Sequence, residues 1–126
     1  SRAQRAREGL DRDFLFVADT VAGMMKCAEV EGIEGEVINL GTGTEVTISD
    51  VVERVAAMLG KQVAVNEEAA RLRPADSEVE RLLADASKAE RLLGWTSQVD
   101  LDEGLRRTAE WLKHSLGEYK TAQYNV

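Results

Sequence analysis

The chain has 126 residues, 44% hydrophobic and 31% charged, which suits one soluble globular domain large enough for a single core. Sixteen basic against 23 acidic residues leave a net charge of −7, which excludes a general nucleic-acid surface and makes any polyanion site local. One cysteine and one histidine exclude an internal disulfide and a zinc-ligand set, and no apolar run is long enough to span a membrane.

Residues 1–11 form a polar leader with Arg2, Arg5, Arg7 and Glu8, unlike a signal peptide, so a cytoplasmic location is the expectation. Asp13 to Val17 is aromatic and β-branched enough for a short strand. Asp19 then reads as the cap of a helix running to about Glu31, with Val21, Met24, Met25 and Ala28 at helical spacing. The methionines read as core filling, and Cys27, in the same apolar stretch, as a buried thiol. Arg12, just before the strand, has a local reading as an ion pair with Asp11 or Asp13.

Glu36 to Leu40 reads as a second strand and Gly41-Thr-Gly43-Thr as a turn. It is no dinucleotide fingerprint, because the third glycine of Gly-x-Gly-x-x-Gly would fall at Val46. Asn39 either bonds the turn backbone or lines a ligand cleft. Thr47-Ile-Ser-Asp50 is a capping signal for a helix ending at Leu59-Gly60, with Ile48, Val51, Val52, Val55 and Leu59 on one core-facing stripe. Gln62 to Val65 alternates like a strand, and Asn66 to Ala70 reads as a polar linker.

Arg71-Leu-Arg73-Pro74-Ala75-Asp76 holds the only proline. Proline pushes the residue before it toward extended backbone, so Arg73 carries its five-donor fork on a stiff loop suited to a phosphate or carboxylate. Spacing alone leaves open an anion site or a loop arginine paired with Asp76 or Glu78. Val79 to Leu83 is strand-like. Asp85 caps a helix through Leu93 that Gly94 closes in a left-handed conformation. Asp100 and Glu103 form a capping-box-like pair for a last helix to about Leu116, with Leu101, Leu105, Ala109, Leu112 and Leu116 as its buried stripe. His114 falls on the exposed face; Trp95 and Trp111 read as core.

Taken in order, Arg12-Asp13-Phe-Leu-Phe-Val17-Ala-Asp19, Gly35-Glu-Val-Ile-Asn39-Leu-Gly41-Thr-Gly43, Arg73-Pro-x-Asp76 with Leu82-Leu-Ala-Asp85-x-Ser87-Lys88 and Leu92-Leu-Gly-Trp95, and Leu101-Asp-Glu-Gly104 to Trp111 resemble the C-terminal region of NAD-dependent sugar-nucleotide epimerases and dehydratases, the extended short-chain dehydrogenase/reductase family. The resemblance spans roughly residues 12–116, and the tail from Tyr119 is similar to the ends of some bacterial sugar-nucleotide 4,6-dehydratases. It implies an α/β fold, helix-rich with a few short strands, corresponding to the substrate-binding part of that fold without its Rossmann cofactor domain. Residues 12–126 would then bind a nucleotide-diphosphosugar. Arg12 and Arg73 would contact its two phosphates, Asp76 would bond a hydroxyl or orient Arg73, Arg71 would be the fallback for Arg73, and Asn39 could line the cleft.

The family's reaction uses NAD and a tyrosine with a lysine four residues later, the lysine lowering the tyrosine's pKa. Here Tyr119 is followed at that spacing by Gln123, and Tyr124 lies too near the end, so no catalytic residue, cofactor site or metal site is expected in this chain. The resemblance also implies that the Asp19 helix and the 36–40 strand lose their packing partner. Apolar surface is then left for a homo-oligomer or for the missing cofactor domain. The competing expectations are a non-catalytic interaction or oligomerisation module and a truncated piece of an intact enzyme.

Overall fold

The computed structural model describes residues 11–61 and 81–123. In chain order the elements are β1 (Asp11–Arg12), α1 (Val17–Glu29), β2 (Val46–Thr47), α2 (Ile48–Met58), β3 (Arg81–Leu82), α3 (Ser87–Leu93) and α4 (Leu101–Gln123). The expected helix-rich α/β arrangement with a few short strands is what the chain forms. The strands make a small sheet in the order β2-β1-β3. Asp11 and Arg12 pair antiparallel with Thr47 and Val46 on one side, and parallel with Arg81 and Leu82 on the other. The expectations at Gln62 to Val65 and Asn66 to Ala70 lie outside the described residues.

The core is small. Ala89, Leu93 and Trp95 are buried, and Leu15, Cys27, Val30, Ile33, Ile38, Leu40 and Ala86 pack around them. Trp95, only 2% exposed, joins three elements at once. Its indole Nε1–H donates to the Asp19 carbonyl at 2.9 Å. Trp95 directly follows Gly94, whose left-handed φ of 63° ends α3 as expected. Gly23 lets α1 come close, since a Cβ there would sit 2.5 Å from Leu40 Cδ1 and 3.3 Å from Trp95 Nε1.

Asp19 does not cap α1. The helix begins two residues earlier, after extended Phe16, and Asp19 is buried at 4% exposure in its first turn. Its Oδ2 accepts the backbone N–H groups of Gln98 and Val99, both at 3.0 Å, so it ties α1 to the segment between α3 and α4. This bond selects the inward face of the helix. Asp19, Gly23 and Cys27 repeat every four residues toward the core, with Cys27 half-buried rather than fully enclosed. Val17, Val21, Met24 and Met25 fall on the opposite face, and Met24 and Met25 are 65% and 59% exposed. Core-filling methionines were the sequence expectation; an inward carboxylate reverses it.

Other elements depart from expectation in the same instructive way. Asp13 to Phe16 is not strand, because the ladder stops at Arg12 and the chain turns into α1. Residues 36–40 belong to no strand ladder among the described residues; Ile38 and Leu40 reach the core while Val37 is 77% exposed. In α2, Thr47 caps as expected, its hydroxyl accepting Asp50 N at 3.0 Å, and the helix closes at Leu59. Its apolar stripe is nevertheless only half-covered, with Val51, Val52 and Val55 intermediate and Ile48 and Leu59 exposed.

Asp85 stands one residue before the N-cap of α3, which is Ala86, rather than at it; it still accepts Ser87 N at 2.9 Å, and this bond holds its carboxyl below the usual range. On α4, Asp100 accepts Glu103 N at 2.8 Å, but the reciprocal half of the capping box is absent from the bonds Glu103 makes. The Glu103 carboxylate instead receives Arg106 Nε at 3.0 Å, Arg106 Nη2 at 2.6 Å and Arg107 Nε at 2.8 Å. The helix runs to Gln123; Trp111, expected in the core, is exposed, as are Leu112, Leu116 and His114. Among the described residues, no helix is long and apolar enough to cross a membrane.

Removing the buried carboxylate in Asp19→Ala leaves two backbone donors unpaired and is expected to cost about 2–4 kcal/mol, read as a lower urea midpoint at unchanged slope. Asp19→Asn, which keeps one acceptor oxygen, should cost less. The arginines beside Glu103 pull its pKa from 4.5 to about 2. A depressed carboxylate pKa stabilises the folded state above the ordinary value and loses that contribution as pH falls through the folded one. α4 helicity by circular dichroism should therefore drop between about pH 4.5 and about pH 2, by a small amount because the group is exposed, and Glu103→Gln should remove that step.

Candidate functional site

The sequence points to five candidate residues, Arg12, Asn39, Arg71, Arg73 and Asp76. Arg71, Arg73 and Asp76 lie outside the described residues, so the candidate site is built from Arg12 and Asn39. Arg12 ends β1, the central strand, and is half-buried between β2 and β3. Its Nη1 donates to the Asp11 carbonyl at 2.9 Å, which anchors one arm of the guanidinium to its own strand. Asn39 is exposed in the extended 36–40 segment, two residues before the glycine turn.

Asp13, next to Arg12 and read from sequence only as its ion-pair partner, bonds the turn that follows the 36–40 segment. Asp13 Oδ1 accepts Thr42 N at 3.0 Å and Thr42 Oγ1 at 2.5 Å; its Oδ2 accepts Thr42 N at 3.1 Å and Gly43 N at 2.9 Å. Thr42 Oγ1 also receives Thr44 N at 3.1 Å, closing the turn on itself. The only sequence signal for this was an acid following Arg12 and a Gly-x-Gly turn further along, and nothing in the spacing says that they meet.

The same bonds test the turn as a dinucleotide cradle. A glycine-rich loop holds a pyrophosphate with backbone N–H groups, and here those of Thr42 and Gly43 already donate to Asp13. The described residues do not fit NAD at this turn. Among them there is also no group of three or more metal-ligating side chains.

Beyond the turn lies a cavity of about 380 Å³ bordered by Phe14, Thr42, Arg54, Gln98 and Asp100 among others. Its one guanidinium, Arg54, bonds Asp102 Oδ1 at 2.8 Å. Neither Arg12 nor Asn39 borders this cavity, so it is separate from the candidate site. A second, mostly apolar hollow of about 440 Å³ lies between Phe16, Val17, Arg107, Thr108 and Trp111, where the Arg107 guanidinium stands 5.7 Å from the Phe16 ring centroid. Glu36, elsewhere on the surface, is held below the usual carboxylate range by its hydrogen bond and ion pair with Lys88.

Comparison with known proteins gives the chain its kin. The family described as GDP-mannose 4,6 dehydratase matches residues 8–108. A UDP-glucuronate 4-epimerase of Thermodesulfobacterium geofontis is 33% identical over 106 residues, covering 83% of this chain and 31% of the relative. A UDP-glucose 4-epimerase of Bacillus subtilis is 31% identical over 114 residues, 89% of this chain and 32% of the relative. Among solved structures, the epimerase Mth375 of Methanothermobacter thermautotrophicus superposes with a TM-score of 0.80 at 32% identity, over 90% of this chain and 33% of that one. The UDP-glucuronic acid 4-epimerase of Bacillus cereus, in complex with UDP-glucuronic acid and NAD, superposes with a TM-score of 0.74 at 30% identity, over 84% of this chain and 33% of that one. The chain thus spans about a third of the length of the relatives it matches. With four-fifths of its length inside the family match, and the fold shared, the chain belongs to the NAD-dependent sugar-nucleotide epimerases and dehydratases of the extended short-chain dehydrogenase/reductase family.

Proposed function

We propose that this chain is the nucleotide-diphosphosugar-binding portion of an NAD-dependent sugar-nucleotide epimerase or dehydratase, and that it does not catalyse the reaction alone. The observation that carries the reading is Arg12: a half-buried guanidinium on the central strand, one arm fixed to Asp11 O, in a chain whose relatives act on nucleotide sugars. Arg12 contacts one phosphate and Arg73 the other. Asp76 bonds a ribose or sugar hydroxyl or orients Arg73, Arg71 stands in for Arg73, and Asn39 borders the cleft. Oxidation of the sugar needs NAD and its acid–base pair, and the 126 residues contain neither a dinucleotide fingerprint nor a tyrosine followed by lysine at the required spacing.

The binding strength follows from the contacts. A hydrogen bond to a charged group contributes roughly 1.5–3 kcal/mol, so two arginines support an affinity on the order of millimolar. Titration of the chain with UDP, UDP-glucuronic acid, GDP-mannose and dTDP-glucose, followed by NMR, is expected to give saturable binding of at least one of them. Arg73→Ala should abolish it and Arg12→Ala should weaken it about tenfold. Binding that survives Arg73→Ala unchanged would remove the diphosphate clamp.

A second reading rests on a separate observation. The outward face of α1 carries Val17, Val21, Met24 and Met25, all exposed and uncharged, and Val37 is exposed as well. Apolar faces of this kind mark interaction surfaces, and the chain serves association through α1 whether or not it binds a nucleotide. Sedimentation at rising concentration should show a dimer or higher species, and Met24→Lys should return it to monomer at unchanged helicity. A wild-type monomer at high concentration would refute self-association.

A further inference from the structure

The two described site candidates lie on segments that one carboxylate fastens together. Asp13 follows Arg12 directly, and the turn it grips begins two residues after Asn39. Four hydrogen-bond contacts of 2.5 to 3.1 Å, from Thr42 N, Thr42 Oγ1 and Gly43 N, cross this junction. Gly41 is wedged into the same point. A Cβ there would lie 2.3 Å from Ala84 Cβ and 2.8 Å from Asp13 Oδ2, so both sides of the position are already filled. Ala84 in turn follows β3, which runs parallel to β1. The end of β1, the turn after residues 36–40 and the exit of β3 therefore converge within van der Waals distance around Asp13 and Gly41.

We propose that Asp13 is a positioning residue for the nucleotide-sugar site: its grip on the 42–43 turn fixes Arg12 relative to Asn39. The inference rests on the reading of Arg12 as a phosphate contact. The choice of residue fits the role: a carboxylate has two acceptor oxygens, and Thr42 N, Thr42 Oγ1 and Gly43 N between them occupy both. Asp13 is thus useful at this position because both its oxygens bind the turn, and Gly41 because nothing larger lets the turn reach it.

The test is an NMR titration of the whole 126-residue chain with UDP and, separately, with uridine, which lacks the phosphates. The Trp95 indole N–H, bonded to Asp19 O, reports whether the core is intact. Asp13→Asn, which keeps one acceptor oxygen, is expected to weaken UDP binding about tenfold while leaving uridine binding and the Trp95 signal unchanged. Thr42→Val removes the hydroxyl donor alone and should weaken UDP a fewfold; it carries the test if Asp13→Asn moves the Trp95 signal. UDP affinity unchanged in both variants overturns the positioning role while the diphosphate reading stands. Equal losses for UDP and uridine also overturn it, since they would show a general loosening. If UDP moves no signal in the wild-type chain, the diphosphate reading fails, and the positioning role falls with it.

Discussion

The Asp19 carboxylate, buried at 4% exposure and bonded to the backbone of Gln98 and Val99, determines how the first helix sits. A buried charge is tolerated only where donors meet it, and two N–H groups at 3.0 Å do so here. Because Asp19 must point inward, the residues four and eight positions on, Gly23 and Cys27, point inward with it. Gly23 then lets the helix close on Leu40 and Trp95, and the indole of Trp95 returns a bond to the Asp19 carbonyl. One acid, one glycine and one tryptophan thereby join α1, the 36–40 segment, and the stretch that follows α3. The outward turn of Val17, Val21, Met24 and Met25 is the geometric remainder of that arrangement.

Much of the local structure was legible because it depends on neighbours in sequence. Thr47 capping α2, Asp85 at the head of α3, Gly94 closing it and Asp100 opening α4 each act within a few residues, so spacing alone predicts them. What spacing could not reveal was the partner across the fold. Helical periodicity showed that α1 has an apolar stripe, but periodicity has no sign. The rule that the apolar stripe faces inward fails when a polar residue on the other face has better bonds inside. Trp111 shows the same limit: an aromatic at helical spacing reads as core, but it borders an open hollow with Phe16 and Val17 and stays 57% exposed. Likewise 36–40 has the composition of a strand, and composition cannot supply the adjacent strand a ladder needs.

Of the proposed site, the order of motifs rather than any property of its own points to Arg12, and the structure has it on the central strand with one arm bonded to Asp11 O. Asp13 was missed as more than a counter-ion because its partners are some thirty residues away in sequence. Acids thus do the long-range fastening in this chain. Asp13 and Asp19 both accept backbone N–H groups across loops, and each holds a segment that the small apolar core does not secure.

That division of labour bears on the negative charge of the chain. A net −7 would ordinarily disfavour both an anionic ligand and a second copy of the same molecule. At β1 two acids, Asp11 and Asp13, flank the arginine, and the turn donors occupy both carboxylate oxygens of Asp13. On α1 the outward residues Val17, Val21, Met24 and Met25 carry no charge of their own, so the net charge of the chain acts on a covering surface there only from a distance, where salt screens it.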